Sequence, residues 1–142
     1  MAITDKEEGV WDLEQVYNKQ NQGGIWDYDG IAELFRVGYN NFGSLGQNDR
    51  TYRSSPTQVS GSWISATSAS STSALALRSD NTLWGMGYNE IGELGQNNND
   101  AYSSPTQIGN ESTWALLAGG GGSTASVLGV KTDGTLWGWG AN

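Results

Sequence analysis

The stretch LFRVGYNNFGSLGQN, Leu34 to Asn48, returns as LWGMGYNEIGELGQN, Leu83 to Asn97, at an offset of 49 residues. SSPTQV, Ser54 to Val59, returns at the same offset as SSPTQI, Ser103 to Ile108. Trp63 then matches Trp114 at 51, and ALRSDNTLWGMG, Ala76 to Gly87, matches GVKTDGTLWGWG, Gly129 to Gly140, at 53. A period of this size makes each unit one supersecondary motif that can bury its apolar face only against its neighbour. The two steps of two residues read as insertions in surface connections between strands that stay in phase.

Within one unit, Trp63 to Ala66, Ala74 to Arg78 and Thr82 to Met86 are expected strands. Ser79-Asp80-Asn81 makes a tight hairpin between the last two, and its counterpart Thr132-Asp133-Gly134 carries the strong Asp-Gly signal. Glycine at 21 residues against proline at 2 favours many tight turns over helices. In Leu83-Trp84-Gly85-Met86-Gly87 and Leu136-Trp137-Gly138-Trp139-Gly140, large apolar groups alternate with glycines that admit a neighbouring backbone. These are expected to be inner strands, with Trp84, Trp137 and Trp139 in the core.

Several functions are disfavoured by what the chain lacks. It has no Cys and no His, which removes disulfides, thiol nucleophiles, imidazole bases and the usual zinc ligands. A formal charge of −8 and only seven Lys and Arg argue against nucleic-acid binding. No apolar run approaches the roughly 20 residues of a membrane helix, and the opening MAITDKEEG lacks the apolar centre of a signal peptide.

The repeated blocks resemble those of the regulator of chromosome condensation family, whose units read approximately L-W-x-W-G-x-N-x-x-G-Q-L-G, then P-x-x-V, then A-L-x-x-D-G. Trp84, Gly87, Asn89, Gly92, Leu94, Gly95 and Pro105 match, as do Leu34, Gly38, Asn40, Gly43, Leu45, Gly46 and Pro56 in the earlier copy. The resemblance covers about Ile31 to Asn142 and implies an all-β fold of antiparallel propeller blades. Ser73 and Ser126 stand where that family often has His, which weakens transfer of a nucleotide-exchange or chromatin role. A closed propeller takes at least four blades of about fifty residues. The expectation is therefore an incomplete propeller, two repeats and the start of a third over 31–142, completed by a longer chain or by assembly of several chains.

Residues 1–30 do not repeat and hold seven Asp and Glu against two Lys. Asp12 as N-cap, Gln15 three residues on and Trp11 before the cap predict a short helix from Leu13, with Leu13, Val16 and Tyr17 on one face and Gly23-Gly24 as its stop. So short a helix has to dock on something. The segment is expected either to cap the first blade or to anchor the chain on a larger particle, through Trp11, Leu13, Val16, Tyr17, Trp26 and Tyr28. GVWDLEQVYNKQNQGGIWDYDG is similar to the lead-in of many bacteriophage structural proteins, which implies a virion location.

Other candidate sites are weaker. Asp27-Tyr28-Asp29-Gly30 begins like a calcium loop, but position 38, where the closing Glu belongs, is Gly. Gly119 to Gly122 lacks the Lys of a phosphate loop and reads as a strand connection. Glu90 and Glu93 align with Asn41 and Ser44 in a loop and are expected to be solvated surface charges. The resulting expectation is a non-enzymatic structural or interaction protein of a phage fibre, spike or decoration element, with no cofactor and no metal. Its expected partners are other virion proteins, copies of itself or a host surface receptor, with neither nucleic acid nor membrane among them. The alternative is a free propeller that recognises a protein or glycan through its loops, and a third, weaker reading is an enzyme using surface carboxylates such as Glu90 or Asp133.

Overall fold

The structure is a computed structural model that describes residues 32–122 and 125–141. Eight strands follow in order: β1 (Ala32–Gly38), β2 (Arg53–Ser68), β3 (Ser73–Arg78), β4 (Leu83–Gly87), β5 (Tyr102–Gln107), β6 (Trp114–Gly119), β7 (Ser126–Lys131) and β8 (Leu136–Gly140). They form a five-stranded sheet in the order β1-β2-β3-β4-β5 and a three-stranded sheet β6-β7-β8, antiparallel throughout. The predicted lead-in helix, and with it Trp11, Leu13, Val16, Tyr17, Trp26 and Tyr28, lies outside the described residues.

The sequence period returns as a period in strand register. Phe35 pairs with Gln58, Arg36 with Thr57 and Gly38 with Arg53; 49 residues later Trp84 pairs with Gln107, Gly85 with Thr106 and Gly87 with Tyr102. The pairings Trp63–Arg78 and Ser65–Leu77, with a bulge between them, return as Trp114–Lys131 and Leu116–Val130 with the same bulge. The insertions therefore fall between strands, and each hairpin keeps its pairing.

One difference from the sequence reading is the length of β2. The strand expected over Trp63 to Ala66 begins ten residues earlier and takes in the repeated Ser54–Val59 block, running over 16 residues and pairing with β1 at one end and β3 at the other. Gly61, at φ +132°, lets the chain turn within this strand, a conformation few side chains tolerate.

Two apolar clusters hold the units together, and they too are copies. Val59, Trp63, Ala74, Ala76 and Met86 are buried with Leu34 and Trp84 packed against them. The second cluster contains the counterparts Ile108, Trp114, Val127, Leu83 and Trp139, together with Leu75, Leu77, Leu94 and Leu117. Residues of β3 and β4 thus meet residues of β6 and β7 across the two sheets, and burying several such side chains at about 1.5–3 kcal/mol each is what fixes one unit on the next. In each unit the glycine of the L-G pair makes room for the neighbour: a Cβ on Gly46 would lie 2.7 Å from Met86 Sδ, and one on Gly95 3.0 Å from Trp139 Nε1.

Two side chains depart from their expected setting. Trp137 is half exposed where its copy Trp84 is largely covered: Trp84 has Gln107 of β5 paired beside it, and among the described residues no strand pairs with the outer edge of β8. Glu93 is fully buried and is not a solvated surface charge. The Gly92–Gly95 turn directs this position inward, as it does for the aligned and buried Ser44, so that Ile91 N–H reaches Glu93 Oε2 at 3.2 Å and Trp139 Nε1–H reaches the Glu93 carbonyl at 3.1 Å.

Candidate interaction surface

The connections after β1 and β4, residues 39–52 and 88–101, are the largest segments that leave the sheets, and they are built alike. Each opens on a glycine with positive φ, Gly38 at +113° and Gly87 at +105°. Next comes a fully buried asparagine whose side chain does the work of a missing strand partner. Asn40 Oδ1 accepts from Leu45 N at 2.9 Å, and its Nδ2 donates to the Asp49 and Thr51 carbonyls at 3.0 and 3.1 Å. Asn89 Oδ1 accepts from Leu94 N at 2.8 Å and its Nδ2 donates to the Asn98 carbonyl at 2.9 Å. Backbone bonds from Gly43 N to Asn40 O and from Gly46 N to Gly43 O complete two tight turns, repeated at Gly92 and Gly95. A buried amide with its bonds made holds a loop rigid, whereas the same amide unpaired would destabilise it.

The first connection is also joined to β5 and to the second connection. Asn48 N donates to Ser103 O at 2.8 Å, Ser104 Oγ donates to Asn48 Oδ1 at 3.0 Å, and the Phe42 and Tyr88 rings meet edge to face at 4.9 Å. The two loops therefore form one continuous ordered surface.

What this surface presents differs between copies. In the first unit Tyr39 and Tyr52 are 49% and 55% exposed, with ring centroids 5.1 Å apart. Asn41 bridges their hydroxyls, donating from Nδ2 to Tyr39 OH at 2.5 Å and accepting at Oδ1 from Tyr52 OH at 2.7 Å. Beside them Asp49 pairs with Arg53 at 2.5 Å. The Thr51 backbone N–H, then Arg53, hold the Asp49 carboxyl below the usual carboxylate range. In the second unit Glu90 replaces Asn41 and Ala101 replaces Tyr52. There the Tyr88 hydroxyl donates to Glu90 Oε2 at 2.8 Å, which raises the phenol above its ordinary value.

Sequence reasoning did not single out Tyr39, Asn41 or Tyr52, because two of them sit inside the repeated block and pass for part of its pattern. The signal was there in the comparison of copies: Tyr52 against Ala101, and Asn41 against Glu90, are places where the repeat does not dictate the residue. Of the sequence candidates, Glu90 lies on this surface and Glu93 beneath it. Asp133 sits far along the chain in the β7–β8 hairpin, accepting from Thr135 N and Oγ1. The Gly119–Gly122 stretch ends β6, with Gly119 N donating to Thr67 Oγ1 at 3.1 Å across the two sheets, which fits a strand connection. Among the described residues no three His, Cys, Asp or Glu side chains gather as a metal site would require.

The arrangement of these antiparallel strands superposes on that of known propellers. Human WBSCR16 superposes with a TM-score of 0.62 at 24% identity, over 75% of this chain and 28% of that one. Yeast RCC1 (Prp20), in its structure bound to Kap60, gives 0.62 at 21% identity over 76% and 28%. Prp20p from Saccharomyces cerevisiae, described with its binding to Gsp1p and histones, gives 0.61 at 21% over the same shares. The chain folds as RCC1-like β-propeller repeats. It spans a little over a quarter of the length of these structures. No protein-family profile matches it, and no curated protein is similar in sequence. The RCC1-like identification confirms the all-β, antiparallel, propeller-type expectation and adds nothing for the phage resemblance of the lead-in.

Proposed function

We propose that this chain is a protein-interaction module, without catalysis of its own, in which the RCC1-like repeats are the frame and the loops after β1 and β4 are the contact surface. The observation that carries this reading is the Tyr39–Asn41–Tyr52 cluster, whose two rings are exposed yet held in place by hydrogen bonds. The fold does not require it, since the second unit builds the same loop without Asn41 or Tyr52. Tyrosines fixed in advance give large amphipathic contact area at little entropic cost, which is why they are enriched in binding surfaces. The partners named for the yeast RCC1 structures, Kap60, Gsp1p and histones, are proteins, which supports the same class of partner here without naming one. This favours the free binding module over the virion component; the virion reading rests on Gly9 to Gly30, outside the described residues.

The test places a photo-crosslinking residue at Arg50, exposed and two residues before Tyr52, and identifies what it captures in the cells that make the protein. Tyr39→Ser with Tyr52→Ser should abolish the crosslink at unchanged thermal stability. A crosslink of equal yield in the double variant would remove the proposal.

A further inference from the structure

The connection from β5 to β6 is longer than its counterpart one unit earlier. In the first unit three residues, Ser60, Gly61 and Ser62, separate Val59 from Trp63, and β2 runs on through them. Gly61 lies against the Trp63 indole, where a Cβ would come within 3.1 Å of Nε1, and Trp63 Nε1 donates to the Val59 carbonyl at 3.1 Å. In the second unit five residues, Gly109 to Thr113, separate Ile108 from Trp114, and they belong to no strand. The Trp114 indole stays packed, edge to face with Trp137 and Trp139 at 6.5 and 5.7 Å between centroids, but its buried Nε1 has no acceptor among the described residues. A buried donor left unpaired costs about 1–3 kcal/mol.

That indole is one wall of a cavity of about 210 Å³ between the two sheets, and Leu83, Gly95, Ile108, Trp137 and Trp139 make others. Trp137 and Trp139 share the face of β8 that meets Trp114, opposite to the face that carries Leu136. Two of the three indoles have committed their N–H: Trp137 donates to Thr135 Oγ1 at 2.9 Å and Trp139 to the Glu93 carbonyl at 3.1 Å. Lys131, stacked on Trp114 and Trp137, is neutralised by Glu111 at 2.5 Å. The lining is therefore apolar, with one uncommitted side-chain donor. The benzo edge of Trp114 rests on Gly129, where a Cβ would lie 2.6 Å from Cζ3. Its Nε1 edge is thus turned away from β7 toward Ile108, as that of Trp63 is toward Val59. Water suits such a site poorly, because it needs about two to four polar partners.

We propose that this cavity binds a neutral, flat aromatic molecule of one or two rings that carries a hydrogen-bond acceptor on its edge. The rings pack among the three indoles in the offset and edge-to-face geometries that aromatic groups favour, and the acceptor takes the Trp114 N–H. A cavity of about 150 Å³ holds benzene, so one of about 210 Å³ sets the limit near two fused rings. The uncommitted donor supplies the selectivity, since a molecule without an acceptor gains only the apolar contacts and leaves that N–H unpaired.

The probes are quinoline, two fused rings with a ring nitrogen as acceptor, and naphthalene, the same shape without one. Each is titrated into the nitrogen-labelled full chain while the indole N–H resonances are followed. Quinoline should bind saturably and one-to-one and shift the Trp114 indole resonance, which Trp114→Phe identifies by its loss. Naphthalene should bind about fivefold more weakly, as one net hydrogen bond implies. Trp114→Phe keeps a ring at the wall and should bring the two probes to equal affinity. Independently, replacing Gly109 to Thr113 by the Ser-Gly-Ser of the first unit should return the indole N–H to a carbonyl acceptor and abolish binding of both probes, with a cooperative thermal transition checking that the variant folds. No binding of quinoline, equal affinity of the two probes for the unaltered chain, a preference for quinoline that survives Trp114→Phe, or undiminished binding after the loop replacement would each overturn the assignment.

Discussion

Arg78 holds its guanidinium carbon 3.7 Å from the centre of the Trp84 ring. Trp63 closes the other side at 5.0 Å, and the two indoles stand perpendicular with centroids 6.4 Å apart. In the next unit Lys131 takes the same place, 4.0 Å from Trp137 and 5.0 Å from Trp114. The cation ends β3 or β7, the first indole lies on the preceding strand and the second on the following one, so one contact ties three strands. Arg78→Ala should therefore destabilise the fold by about 1–2 kcal/mol through lost cation–π attraction and stem packing. Arg78→Lys should recover most of it, since lysine already serves at the second site. Urea midpoints at unchanged slope measure both.

Asn89 offers a sharper case. Removing its amide strands the Leu94 N–H, a buried donor with no other partner, so Asn89→Ala should cost about 1–3 kcal/mol. Asn89→Asp keeps an acceptor for Leu94 but turns a buried carboxylate oxygen toward the Asn98 carbonyl and Oδ1, and should cost at least as much as Asn89→Ala. Asn40→Ala should behave like Asn89→Ala, because the first loop uses the same bonds. Thermal unfolding of the three variants would check the order.

The hairpin aspartates predict the acid response. Asp80 and Asp133 lie below the usual carboxylate range, in each case first because the following threonine hydroxyl, Thr82 or Thr135, donates to the carboxylate. That hydroxyl then accepts from Trp84 Nε1 at 2.7 Å or Trp137 Nε1 at 2.9 Å. A carboxyl depressed on folding stabilises fully above its unfolded value of about 3.9, and its contribution is lost as pH falls through the lower folded value. Stability should thus stay level through the neutral range and decline below about pH 4. Asp80→Asn with Asp133→Asn should flatten that decline, as read from denaturant unfolding at a series of pH values.

Much of this architecture was legible because the chain states it more than once. The common offset of the 34–48 and 54–59 blocks showed that the units recur in phase, and the hairpin at Asp80 followed from its turn residues. Glu93 was misjudged because charge is a property of the residue, whereas burial here is a property of the turn, already visible in the inward Ser44. Trp137 was misjudged for the opposite reason: the pattern makes it a core residue, but its cover depends on a strand paired alongside, as β5 is beside Trp84 and no described strand is beside β8. The Tyr39–Tyr52 platform depends on two loop ends meeting in space, 13 positions apart, and no local pattern encodes that meeting.

The bonds that Asn48 makes to Ser103 and Ser104 mean that the first loop is finished by residues of the unit after it. Its counterpart Asn97 has the same left-handed backbone, at φ 56°, but no such crosslink forms there among the described residues. Among the described residues the loop after β1 is thus braced from outside its own unit and the loop after β4 is not, so that trimming Asn48 would slacken the former alone.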